Sequence, residues 1–153
     1  MKFTRQPSEP LSPRARWLLA GLATVLSALL ATAAALEPTA AGIGTHRQLG
    51  LSECFVLRQW GIRCPTCGTT TAWARLLDLD LPGAIDANVG GTLLAVAALL
   101  AVPWSLATAA HGRWCYLRPT ANLVLPAVAV LGLVILVDWL RHTGLALIGQ
   151  SWS

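Results

Sequence analysis

The chain has 153 residues, of which 55% are hydrophobic and only 12% charged, and its net charge is +4. An ordinary soluble domain carries about 25% charged residues, so the composition excludes a water-facing surface over most of the chain and points to a bilayer as solvent. No basic surface interleaved with aromatics appears, which excludes a nucleic-acid partner, and four unevenly spaced cysteines exclude a disulfide-scaffold protein.

Residues 1–16 carry Pro7, Pro10 and Pro13 among Ser, Arg and Gln, and read as a flexible basic tail. Residues 17–36, opening with Trp17, hold no charge and are long enough to cross a hydrocarbon core of about 30 Å as a helix. A cleaved secretory signal is the rival reading, but the run exceeds the usual apolar length of such signals. A retained first span is therefore expected.

Residues 37–88 form the only long polar segment. Ser52 is placed to cap a short helix that carries Cys54, Phe55 and Leu57 and stops at Gly61. The motif Cys64-Pro65-Thr66-Cys67-Gly68 follows. With Pro65 suited to a first helical position, Cys64 is the expected N-cap and Cys67 lies one turn later. The continuing helix places Thr71, Arg75 and Asp78 on one face and Trp73, Leu76 and Leu77 on another, which suits a helix at a membrane surface or against its neighbours. Asp80 and Pro82 end that element and start a short helical turn through Ala84 and Ile85, and Asn88 caps the next long run.

Residues 89–110 form the second predicted span, with Pro103 inside it, and residues 121–140 the third. Asp138, at the end of the third run beside Trp139 and Arg141, reads as an interfacial carboxylate paired locally. The tryptophans read mostly as interfacial anchors. Residues 141–153 form a short tail. The expected fold is all-α, a single three-span membrane domain over residues 17–140, with one or two short amphipathic interfacial helices.

Charge sets the expected topology. Lys2, Arg5, Arg14, Arg16, Arg113 and Arg118 fall on one side with Glu9, whereas the long loop balances Arg47, Arg58, Arg63 and Arg75 against five acids. The N-terminus is therefore expected in the cytoplasm, the cysteine loop outside it, and Cys115 on the opposite side from Cys54, Cys64 and Cys67.

Two thiols separated by two residues can form a disulfide, exchange one, or share a metal. A thiol at a helix N-terminus favours its thiolate and hence exchange. The simplest reading is nonetheless a structural or partner-binding loop, in which Pro65 and Gly68 serve turn and close approach. The alternative is a membrane thiol-disulfide redox or metal-handling protein using Cys64 and Cys67. No cofactor is required by the first reading. Zinc enters only if Cys54 and His46 join the pair to complete four ligands. No catalytic base or phosphate loop accompanies the Thr69–Thr71 run, so the residues favour a non-enzymatic component over an enzyme.

Over roughly residues 54–104 the chain resembles a family of small bacterial membrane proteins known only as a domain of unknown function, with the signature Cys-Pro-x-Cys-Gly-x-Thr-Arg-Ala. Cys64, Pro65, Cys67, Gly68, Thr70 and Ala72 carry the resemblance. Cys54 matches the family's preceding cysteine, and Asn88 matches an Asn that usually precedes a Pro. Thr71 stands where the family has Arg, and Val89 where it has that Pro. The resemblance implies a small bacterial membrane protein; the reading of the chain itself is an inner-membrane protein with the bilayer as partner, open to a further membrane protein or a second copy of the chain.

Overall fold

The computed structural model describes residues 10–115 and 117–150, with side chains to residue 144 at the C-terminal end. The predicted tail is outside this range over residues 1–9, as is the end of the C-terminal tail over residues 151–153. Among the described residues the order is α1 (Pro13–Ala34), a 3₁₀ turn (Thr45–Leu49), α2 (Phe55–Trp60), α3 (Thr69–Leu77), α4 (Leu81–Ala87), α5 (Val89–His111) and α6 (Ala121–Gln150). The chain is helical without a named strand among these residues; an isolated bridge joins Pro10 to Arg113. Three helices are long and apolar enough to cross a bilayer, at Pro13–Ala34, Val89–His111 and Ala121–Gly144.

The boundaries differ from expectation at both ends. The first helix starts at Pro13 instead of Trp17, because Ser12 caps it, accepting from Ala15 N at 3.3 Å, and Pro13 is suited to the first helical position. The third helix does not stop at Leu140 but runs to Gln150, since no Gly-Pro break or cap follows Arg141. Short helices α2, α3 and α4 lie in the loop, as expected.

Small residues decide how α1 and α5 pack. The buried positions of α5 are Gly90, Gly91, Thr92, Ala95, Ala98, Ser105 and Thr108, and those of α1 are Ala23 and Ala33. Such stripes let two apolar helices approach closely, where dispersion contacts and lipid exclusion replace a hydrophobic drive. The larger side chains Leu22, Val25, Leu29, Leu100 and Leu106 point outward, as suits a hydrocarbon solvent. The two helices are antiparallel: Arg16 Nε donates to the Ala109 carbonyl at 2.9 Å, and Leu11 N to the Gly112 carbonyl at 2.8 Å. Among the named elements α6 packs only on α5 and leaves most of its surface exposed.

At the other end, α3 and α4 fold over the start of α5. The amphipathicity of α3 is turned opposite to a surface-lying helix: Thr71 is fully buried and Arg75 is directed inward. Thr71 shares a 2.8 Å hydrogen bond with Thr45 of the 3₁₀ turn, while Arg75 donates to the Thr39 carbonyl at 3.2 Å and pairs with Asp80 at 3.6 Å. Thr71 and Arg75 turn inward because they meet polar groups of the preceding loop there, while Asp78 on the same face stays exposed. Asp80 caps α4, accepting from Gly83 N at 2.9 Å. Asn88 caps α5 as expected, accepting from Gly91 N at 2.6 Å.

Candidate thiol site

The motif forms a turn rather than the first turn of a helix. Cys67 N donates to the Cys64 carbonyl at 3.0 Å, and α3 starts only at Thr69 with Gly68 at its N-cap. Cys64 is therefore not the N-cap and Pro65 not a helical residue. The reason lies at Gly68, whose φ of +90° interrupts any helix from Pro65 onward. A Cβ at Gly68 would lie 2.5 Å from the Ala87 carbonyl oxygen and 2.8 Å from that of Gly42, so only glycine lets the turn seat against α4. Similarly, Cys54 and not Ser52 precedes α2, and Arg58 N donates to its carbonyl at 3.0 Å.

Residues remote in sequence hold the turn. Asn88 Nδ2 donates to the Pro65 carbonyl at 3.2 Å and to the Cys67 carbonyl at 3.1 Å, with its Oδ1 already engaged at Gly91. Trp139 Nε1 donates to the Arg63 carbonyl at 2.6 Å. This tryptophan is thus a clamp on the loop and not merely an interfacial anchor. Asp138, almost fully buried, accepts from Val89 N at 3.2 Å and from Arg141 at 3.0 Å, and its carbonyl accepts from His142 Nδ1 at 3.0 Å. The local pairing expected for Asp138 exists, and the same carboxylate also ties α6 to the first turn of α5.

Three sulfurs converge on this platform. The Sγ atoms of Cys54, Cys64 and Cys67 all lie within 4.8 Å of one another, and those of Cys64 and Cys67 are 3.0 Å apart. The Thr66 hydroxyl is 3.3 Å from Cys64 Sγ. Burial pushes the Cys64 thiol up, but hydrogen bonding from Thr66, Cys67 and Cys54 outweighs it and brings the pKa from 9.0 to about 7. Cys67 is pushed up to about 12, first by burial and then by donating its proton to Cys64. Above about pH 7 the pair therefore holds one proton, on Cys67, beside a Cys64 thiolate.

The sulfurs open on a cleft of about 430 Å³ lined also by His46, Arg47, Glu53, Thr70 and Thr71. Behind them, toward Asn88, Asp138 and His142, the free space shrinks to about 10 Å³. Reagents therefore reach the thiols from the cleft side. His46 borders the cleft but stands outside the sulfur cluster, with Nε2 donating to the Ser52 carbonyl at 3.3 Å. Ala72 is fully buried in α3. Cys115 follows α5, at the far end of a helix whose 23 residues span about 34 Å, and does not join the cluster.

Sequence reasoning singled out all three clustered cysteines and Asn88. It missed Thr66 and the clamp formed by Trp139. A tryptophan at a span end carries no local mark that distinguishes a loop clamp from a headgroup anchor. No curated protein and no solved structure matches the chain. A family model described as "Protein of unknown function (DUF2752)" matches residues 54–102, a segment that runs from Cys54 through most of α5 and includes all three clustered cysteines and Asn88.

Proposed function

We propose that this chain is a bacterial cytoplasmic-membrane protein that exchanges disulfides with a partner through Cys64 and Cys67, its N-terminus in the cytoplasm and its cysteine cleft outside. The observation that carries this reading is the 3.0 Å separation of Cys64 and Cys67 Sγ at the mouth of an open cleft. Closing that gap by about 1 Å gives disulfide bond length. The proposed orientation rests on Arg14, Arg16, Arg113 and Arg118 flanking the same ends of the spans, against a mixed-charge loop at the other end.

In the exchange, the Cys64 thiolate attacks one sulfur of a partner disulfide. The Cys64–sulfur bond forms, the partner's S–S bond breaks, and the leaving thiolate takes a proton from solvent. Cys67 then releases its proton to solvent and attacks Cys64 Sγ. The Cys64–Cys67 bond forms and the partner's second sulfur leaves as a thiolate that is protonated. The partner disulfide has gained two electrons and two protons, and the pair has lost two electrons. Run backwards, the same steps insert a disulfide into a partner dithiol.

A structural disulfide is the second reading, favoured by the carbonyl clamps from Asn88 and Trp139 that fix the turn. Equilibrating the purified, chelator-treated protein with glutathione buffers separates the two. An exchanging pair is expected to interconvert at a potential of about −120 to −270 mV, whereas a structural link below about −300 mV would sink the exchange reading. The orientation is tested on intact, reduced cells with an impermeant maleimide. Labelling of the cleft cysteines with Cys115 spared is expected, and the reverse pattern would overturn it.

A further inference from the structure

We propose that Cys54, Cys64 and Cys67 form a trigonal, all-sulfur site for a thiophilic d10 ion, cuprous copper in preference to zinc. The inference goes beyond disulfide exchange because it stands on Cys54, which the exchange does not use.

Three soft donors are already assembled. Metal–thiolate bonds of about 2.3 Å place ligand sulfurs about 3.8–4.0 Å apart, within the 4.8 Å that bounds this cluster. The Cys64–Cys67 pair, at 3.0 Å, must widen by about 0.8–1.0 Å. The donors come from two chain segments that a buried hydrogen bond ties together. Thr45, in the 3₁₀ turn before Cys54, bonds to Thr71 in the helix that follows Cys67. The sulfur of Cys54 is thereby held over the motif turn rather than left to a loose loop.

The choice of ion follows from what is missing around the sulfurs. A structural zinc site takes four ligands in a tetrahedron. His46, the nearest imidazole in the cleft, gives its Nε2 to the Ser52 carbonyl, and Glu53 pairs with Arg47 at 4.0 Å. No imidazole or carboxylate belongs to the cluster among the described residues. Thiolates select soft ions such as Cu(I), and three thiolates around a monovalent ion leave a net negative site.

The test uses the full chain in detergent, fully reduced and handled anaerobically, with Cu(I) titrated against a competing Cu(I) chelator. One Cu(I) per chain is expected, with X-ray absorption reporting three sulfur neighbours and no nitrogen. Cys54→Ser is expected to weaken binding by about 100-fold or more and to leave two sulfur neighbours. His46→Ala is expected to change neither stoichiometry nor spectrum. Two sulfur neighbours in the native chain, or undiminished affinity in Cys54→Ser, would overturn the site. A nitrogen neighbour lost in His46→Ala would replace it with a four-ligand site. Because X-ray absorption is read on the native chain, poor folding of a variant does not decide the outcome. Loss of exchange with copper binding intact would remove the exchange reading and leave the metal site standing.

Discussion

Cys64→Ser is expected to lower the rate of disulfide exchange about a thousandfold or more, because a serine hydroxyl is un-ionised near neutral pH and forms no sulfur–sulfur bond. Cys67→Ser is expected to do something different: the first attack proceeds, the second cannot, and a mixed disulfide on Cys64 accumulates. Mass spectrometry of the trapped adduct distinguishes the two variants. Equal trapping at both positions would contradict the assignment of Cys64 as nucleophile. The pH profile offers a second check on the same pair. With its pKa lowered to about 7, Cys64 is thiolate above that pH and thiol below it. Alkylation of chelator-treated protein should therefore rise through a midpoint near pH 7 and be complete well below pH 9. The midpoint is the better readout than the rate. Thiolate fraction at pH 7 rises about 50-fold over a thiol of pKa 9, but lower basicity reduces intrinsic nucleophilicity by about tenfold over two pKa units. The net gain in rate is only about fivefold. In Cys67→Ala the donor to Cys64 is gone and the midpoint should move upward; an unmoved midpoint would mean that Cys67 does not hold the thiolate.

Asn88→Ala should be the most damaging single change outside the cysteines. The side chain caps α5 through Gly91 and also supplies the donors for the carbonyls of Pro65 and Cys67. Loss of the cap costs about 1 kcal/mol, and each part-buried carbonyl left without its donor adds about 1 kcal/mol or more. A loss of about 3 kcal/mol in unfolding free energy in detergent is expected. Asn88→Asp separates the two roles, because its carboxylate can still accept from Gly91 N but cannot donate to the turn. Its carboxylate would face the Pro65 and Cys67 carbonyls. The Asn88→Asp chain should hold α5 but loosen the turn, so that alkylation of Cys67 becomes faster while the helical content is unchanged. If Asn88→Asp left both stability and Cys67 alkylation at their native values, the two donations would carry no weight.

The candidate site was legible in part. Cys64 and Cys67 are conspicuous as a spaced pair, and Cys54 was recognised as a companion. Their actual setting was not legible, since Cys64-Pro65 reads as a helix start until the left-handed backbone at Gly68 is known. The Gly42 and Ala87 carbonyls leave no room for a Cβ at that position, and neither is near Gly68 in sequence. The inward turn of Arg75 was hidden for the same reason. An amphipathic pattern identifies two faces of a helix, and only the Thr45 hydroxyl and the carbonyls of Thr39 and Ala40 decide that Thr71 and Arg75 turn inward.

The sequence by itself determined the three spans, the caps at Asp80 and Asn88, and the separation of Cys115 from the other cysteines by a whole helix. These properties are local: transfer into hydrocarbon is summed residue by residue along a run, a helix closes its own backbone hydrogen bonds, and a cap acts within one turn. Only the tertiary structure decided that the sulfur of Cys54 meets those of Cys64 and Cys67, and that Asn88, Asp138 and Trp139 secure the platform beneath them. The contacts of Asn88, Asp138 and Trp139 join residues 21 to 76 positions apart. Hydrophobic periodicity carries no record of such pairings, because they depend on how α3, α5 and α6 meet at one end of the bundle.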